Sequence, residues 1–143
     1  MIERYELSAL PTRIRPQDLR SEVERMIGII PYQENGRDPR RGLDCEGWIR
    51  YLLSLRGIIC DEHIYTARRD FVPVTAPQAW DIAVLRGAMV DPRHLIMFLD
   101  RQWFSHCSAG NGVSISEIGR GCERDIILIV RHSSLIETER PCA

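Results

Sequence analysis

Apolar positions fall first into a helical rhythm and later into a strand rhythm. From Pro16 onward, Leu19, Val23, Met26 and Ile27 recur at helical spacing. Pro16 suits a first helical turn, and Gly28 and Pro31 end the element. Residues 33–42, rich in Gly, Pro, Asn, Asp and Arg, read as a polar loop. Leu43, Trp48, Ile49, Leu52 and Leu53 form a second helical stripe that Gly57 closes, with Asp44 or a neighbour as its cap and Cys45 in its first turn. After Pro77 the period shortens. Residues 82–85 and 95–99 are apolar strand runs, Asp100-Arg101 is a tight turn, and residues 102–106 return as the second arm of a hairpin. Gly110-Asn111-Gly112 marks another turn, Val113 and Ile115 alternate with serines, and residues 126–130 are expected to form a buried strand.

Helices first and strands later predict an α+β domain, N-terminal helices packed on a small antiparallel sheet. Residues 1–15 are an irregular lead-in broken by Pro11 and Pro16, residues 16–132 are the domain, and residues 133–143 are a tail. The 143 residues suit one domain, which at this size buries about two thirds of its unfolded surface and needs no disulfide or metal to fold. With 20 acidic and 19 basic residues the net charge of −1 gives no footprint for nucleic acid. All basic residues are arginine, so no lysine is available for catalysis. No run approaches the roughly 20 apolar residues that span a bilayer, and the acidic start of the chain is not read as a secretory signal.

Five cysteines, Cys45, Cys60, Cys107, Cys122 and Cys142, show no C-x-x-C spacing and are read as free thiols. Cys60 and Cys107 are expected in the core and Cys142 in the tail. Cys45 differs, because a helix N-terminus favours thiolate, the nucleophilic form. A nucleophilic thiol needs a base. His94 opens the strand 95–99 and His106 ends its antiparallel return, so both imidazoles reach the open end of one hairpin. There one can act as base and the other can orient it. His63 and His132 read as surface residues. A zinc site built from Cys45, His94, His106 and Cys107 matches no common zinc spacing.

In this order the residues resemble the NlpC/P60 family of cysteine peptidases, which share a papain-like core. Gly42-Leu43-Asp44-Cys45-Glu46-Gly47-Trp48 is similar to the family's Asp-Cys-Ser-Gly-Phe type of motif, and Pro31-Tyr32 to its Pro-Tyr. Ala79-Trp80-Asp81-Ile82 is similar to the strand that opens with Pro-Gly-Asp. His94-Leu95-Ile96-Met97-Phe98-Leu99 resembles His-Val-Gly-Ile-Tyr-Leu, and Phe104-Ser105-His106-Cys107 resembles the stretch ending Ile-His-Ala. The resemblance implies Cys45 as nucleophile, His94 as general base and then acid, and His106 as the residue that orients His94. It implies Tyr32 as a phenol beside the oxyanion or substrate, and the Cys45 N–H as a further oxyanion donor. The implied substrate is a peptidoglycan stem peptide cut between γ-D-glutamyl and a diamino acid, with no metal or organic cofactor. Small phage and prophage tail proteins of the family suggest a virion tail, or host cytoplasm before assembly, with other tail proteins as partners. The bacterial cytoplasm is the alternative location.

Departures from the family pattern define a second reading, a catalytically silent structural or adaptor subunit of a tail assembly. Glu46 stands where the family has serine, and with Asp44 it brings two carboxylates to the thiol, which raises a thiol pKa if they face it. Trp80 replaces a glycine. Arg37, Arg40 and Arg41 are either a solvated loop surface or contacts for substrate carboxylates. A third reading, an amidase or acyl transferase, fits less well with cysteine preceding histidine in the chain.

Overall fold

The computed structural model describes residues 4–60, 64, 69–86, 94–119 and 125–137. Within the lead-in, Leu7–Ala9 form a 3-10 turn. The segment is tied down by the Tyr51 hydroxyl on the Pro11 carbonyl (3.0 Å) and by the Ile14 N–H on the Leu55 carbonyl (3.1 Å). Pro16–Asp18 make a 3-10 first turn that runs into helix α1, Leu19–Met26, whose Leu19, Val23 and Met26 are buried. Gly28, at φ 81°, turns the chain out of it.

Asp44 is the N-cap of helix α2, Cys45–Ser54, and its carboxylate accepts the Gly47 N–H at 2.7 Å. Trp48, Ile49, Leu52 and Leu53 are fully buried, as the stripe predicts. The stretch between the helices, expected as a loop, contains a small antiparallel ribbon of β1, Arg37–Asp38, and β2, Gly42–Leu43. The ribbon sits against the start of α2, so closely that a Cβ on Gly47 would collide with the Gly36 carbonyl. Both contacting groups are backbone and cannot step aside. Gly47→Ala is therefore expected to cost about 1–3 kcal/mol, read as a lower urea midpoint with an unchanged slope.

Among the described residues the sheet has six strands in the order β3-β8-β4-β5-β6-β7, each paired antiparallel with its neighbour. They are β3, Phe71–Pro73; β4, Ile82–Leu85; β5, His94–Phe98; β6, Trp103–Ser108; β7, Gly112–Glu117; and β8, Ile126–His132. Ile82, Val84, Leu95 and Met97 share one core cluster with the α1 and α2 side chains. Ala83, Leu85, Ile96, Phe98 and Phe104 form a second cluster by alternation. Burial on both faces explains why β4 and β5 read as continuous apolar runs. Among the described residues no helix is long and apolar enough to cross a membrane.

Strand β8 corrects one expectation. Only Val130 of its apolar run is buried, while Ile127 is 48% and Leu128 37% exposed. The three-residue β3 pairs only with Val130, Arg131 and His132, so the leading half of β8 has β4 alone beside it among the described residues. Strand β3 is too short, and too broken by Pro73, to register as a period. Ser133–Glu137, left in the tail by the sequence, form a short helix α3 with Leu135 buried. His132, expected at the surface, is half-buried with its ring edge-on to Phe71 at 5.2 Å. Cys60, expected in the core, is partly exposed. His63, Cys122 and Cys142 lie outside the described residues.

Trp80 holds φ 77°, a conformation that glycine adopts without strain, at the position where the family resemblance expects glycine. Its indole is held by an Nε1–H bond to the Pro16 carbonyl at 2.9 Å and by the Arg56 guanidinium over the ring at 5.0 Å. Beside it, Asp81 is fully buried in a two-point ion pair with Arg131 of β8.

Candidate active site

The β5–β6 hairpin is wider than the tight turn expected. Its loop covers residues 99–102, with Asp100 Oδ1 accepting the Gln102 and Trp103 N–H groups at 2.7 and 2.8 Å. Met97 then faces Ser105 and Phe98 faces Phe104. Continued outward, this register sets Ile96 opposite His106 and Leu95 opposite Cys107. His106 does not end its strand, which runs on to Ser108. The two histidines are diagonal neighbours on one face rather than direct partners. They still meet, with His94 Nε2 2.8 Å from His106 Nδ1.

Either ring can donate in this contact, and one of the two arrangements leaves His94 free to act as a base. A proton on His94 Nε2, donated to His106 Nδ1, leaves His94 Nδ1 as a lone-pair acceptor and places the His106 proton on Nε2. Burial holds His94 below the usual imidazole range. Burial, and then the neighbouring His94, push His106 down to about 4. Both rings are therefore neutral at pH 7, the state in which one is a base and the other accepts its hydrogen bond.

Cys45 is the first residue of α2, the helix that packs on β5 and β6. It reaches β5 at the strand's end, where its sulfur accepts hydrogen bonds from the Leu95 and Glu46 backbone N–H groups. The structure thus brings His94 and His106 into contact and places the Cys45 sulfur at the residue next to His94. The expected thiolate is not the resting state. Burial raises the thiol above its ordinary range, the Asp44 and Glu46 charges add to this, and the two backbone hydrogen bonds only partly offset it.

Tyr32 bridges to Leu43 of β2, and its phenol, half-buried, lies within electrostatic range of Asp44 and Cys45. Burial, then those charges, raise it, so it is a neutral donor at pH 7. Cys107 lies beneath β2, fully buried, with its S–H on the Leu43 carbonyl (3.2 Å) and its thiol pushed up to about 12 by burial. Ser105, missed by the sequence reading, is buried and takes the Trp48 indole N–H while donating to the Ser114 carbonyl, both at 3.0 Å. It locks α2 onto the hairpin that carries His106. A polar residue in an apolar strand was its only sequence signal.

The loop arginines separate. Arg37 is engaged with Asp44 and Glu46. Among the described residues no three His, Cys, Asp or Glu side chains group as a metal site.

The chain is also similar to known proteins. The chain matches the family model described as the NlpC/P60 family over residues 29–131. A Staphylococcus aureus protein described as similar to lipoprotein, NLP/P60 family, superposes with a TM-score of 0.67 at 20% identity, covering 87% of this chain and 44% of that one. An NlpC/P60 family protein from Bacillus cereus gives 0.68 at 20% identity, covering 88% and 42%. The NlpC/p60 domain of the peptidoglycan hydrolase SagA gives 0.59 at 22% identity, covering 82% and 98%. The chain therefore spans less than half the length of the first two and nearly all of the SagA domain. No curated protein matches the chain. The papain-like α+β fold and the family match over most of the sequence together place the chain in the NlpC/P60 family.

Proposed function

We propose that the chain is a cysteine peptidase that hydrolyses peptidoglycan stem peptides at the bond between γ-D-glutamyl and a diamino acid. The observation that carries this reading is the His94–His106 pair at 2.8 Å, with Cys45 at the head of α2 and its sulfur at the adjacent Leu95 amide. A neutral thiol and a neutral imidazole call for general-base attack rather than a preformed ion pair. The Cys45 sulfur adds to the scissile carbonyl while its proton passes to His94 Nδ1. His106 Nδ1 accepts from His94 Nε2 and steadies the imidazolium. The Cys45 N–H and the Tyr32 hydroxyl serve the oxyanion. His94 then protonates the leaving amine, and water, deprotonated by His94, releases the acid from the thioester.

Purified stem tetrapeptide incubated with the full chain tests this, with products identified by mass spectrometry. His94→Ala is expected to reduce turnover about 10²–10⁴-fold, the usual range for a lost acid–base group. Because His94 must be neutral and burial lowers its pKa, the wild-type rate should fall on the acid side at a lower pH than an ordinary imidazole would set. Equal rates in wild type and His94→Ala would remove the dyad. No cleavage at any bond by wild-type protein would remove the peptidase and favour the silent subunit.

A further inference from the structure

Two carboxylates flank the proposed nucleophile in sequence, yet neither lacks a cation. Asp44 Oδ1 takes the Gly47 N–H at 2.7 Å and Arg37 Nη1 at 2.6 Å. Glu46 is 5% exposed, and its Oε2 meets Arg50 Nη2 at 2.7 Å and Arg37 Nη2 at 3.5 Å. Arg37 is itself anchored by Nη1 on the Gly36 carbonyl at 2.8 Å, the carbonyl against which Gly47 packs. One guanidinium on the β1–β2 ribbon thus spans both acids across the head of α2. A buried carboxylate without a partner costs several kcal/mol, so a glutamate directly after the nucleophile needs this support.

We propose that Arg37 is a positioning residue for Cys45: with Arg50 it offsets negative charge on Asp44 and Glu46 and so keeps the thiol ionisable. The inference rests on the reading of Cys45 as nucleophile. Among the described residues, the titratable groups on the neighbouring elements are neutral at pH 7: Tyr32 beside β2, His94 on β5, and His106 and Cys107 on β6. Removing Arg37 takes one positive charge away from Asp44, Glu46 and the sulfur beside them. Electrostatic coupling runs directly between Arg37 and Cys45 as well. At a few ångströms and an effective dielectric near 20, one unit charge shifts a thiol midpoint by about one pH unit after screening, a tenfold change in thiolate.

The test is the rate of iodoacetamide labelling at Cys45 in the folded full chain across pH 6 to 11, read by peptide mass spectrometry. Arg37→Gln is expected to raise the midpoint by about one unit with the limiting rate at high pH unchanged, and Arg37→Lys to restore most of it. Glu46→Gln removes the acid instead and should lower the midpoint. The Arg37→Gln/Glu46→Gln double variant, which removes one charge of each sign, should return close to wild type. A merely structural Arg37 would not produce that compensation. If Arg37→Gln fails to fold, Glu46→Gln and the double variant carry the test alone. A midpoint unmoved in folded Arg37→Gln, or a double variant no nearer wild type than Arg37→Gln, overturns the proposal. The assay needs no substrate, so the two claims fail separately: a shifted midpoint without hydrolysis sinks the peptidase and leaves Arg37, whereas hydrolysis with an unmoved midpoint does the reverse.

Discussion

Replacing Cys45 with alanine is expected to bring hydrolysis of a stem peptide to background while leaving the urea midpoint close to wild type. Removal of a covalent nucleophile that works with a base costs about 10⁶-fold in well-studied hydrolases, since the rest of the site then has nothing to activate. The structural cost is small for identifiable reasons. Cys45 lies outside the buried core clusters, alanine is a good first-turn residue, and the cap between Asp44 and Gly47 does not involve the thiol. Cys45→Ser should be almost as inactive. Burial that already raises a thiol disfavours an alkoxide far more. Turnover by Cys45→Ala within tenfold of wild type would exclude the nucleophile assignment. A large drop in its midpoint would mean that the thiol is chiefly a packing group.

What the sequence revealed follows from how local each feature is. The cap and first turn of α2 depend on neighbours within four residues, so Asp44, Cys45 and the stripe behind them were readable directly. The histidine pair was readable because a hairpin relates distant positions by simple counting, and a diagonal contact tolerates the error of one register step. Arg37 was not readable. Its partners, Asp44 and Glu46, lie seven and nine residues away across a ribbon that shows no hydrophobic period, whereas Arg50 stands at the i+4 position from Glu46 and follows from helical spacing. The thiol's ionisation was misjudged because the helix dipole can be inferred from sequence and burial cannot. The run at residues 126–130 was overread for a related reason, since apolar composition alone does not say whether a neighbouring strand is long enough to cover it.

The second large effect concerns the scaffold. Arg131→Met is expected to destabilise the fold by about 3–5 kcal/mol, the cost of leaving a buried carboxylate without its partner. Asp81 is fully buried, accepting Arg131 Nε on Oδ1 at 2.8 Å, and Arg131 Nη2 (2.9 Å) and the Gln78 N–H (3.0 Å) on Oδ2. Its own carbonyl takes the Phe98 N–H at 2.8 Å. Asp81 therefore joins β8 to the head of β4 and to β5, the strand on which His94 stands. For a domain of this size the loss corresponds to a melting temperature lower by about 10–20 °C. The control is Asp81→Leu/Arg131→Met, which removes both charges and should recover much of the loss, because no unpaired ion is left inside. If Arg131→Met alone melts like wild type, Asp81 gains a substitute partner or water, and the pair does not hold the sheet. If the double variant is no better than the single one, the Gln78 and Phe98 geometry around Asp81 matters more than its charge, and the role of this aspartate is to shape the entry into β4.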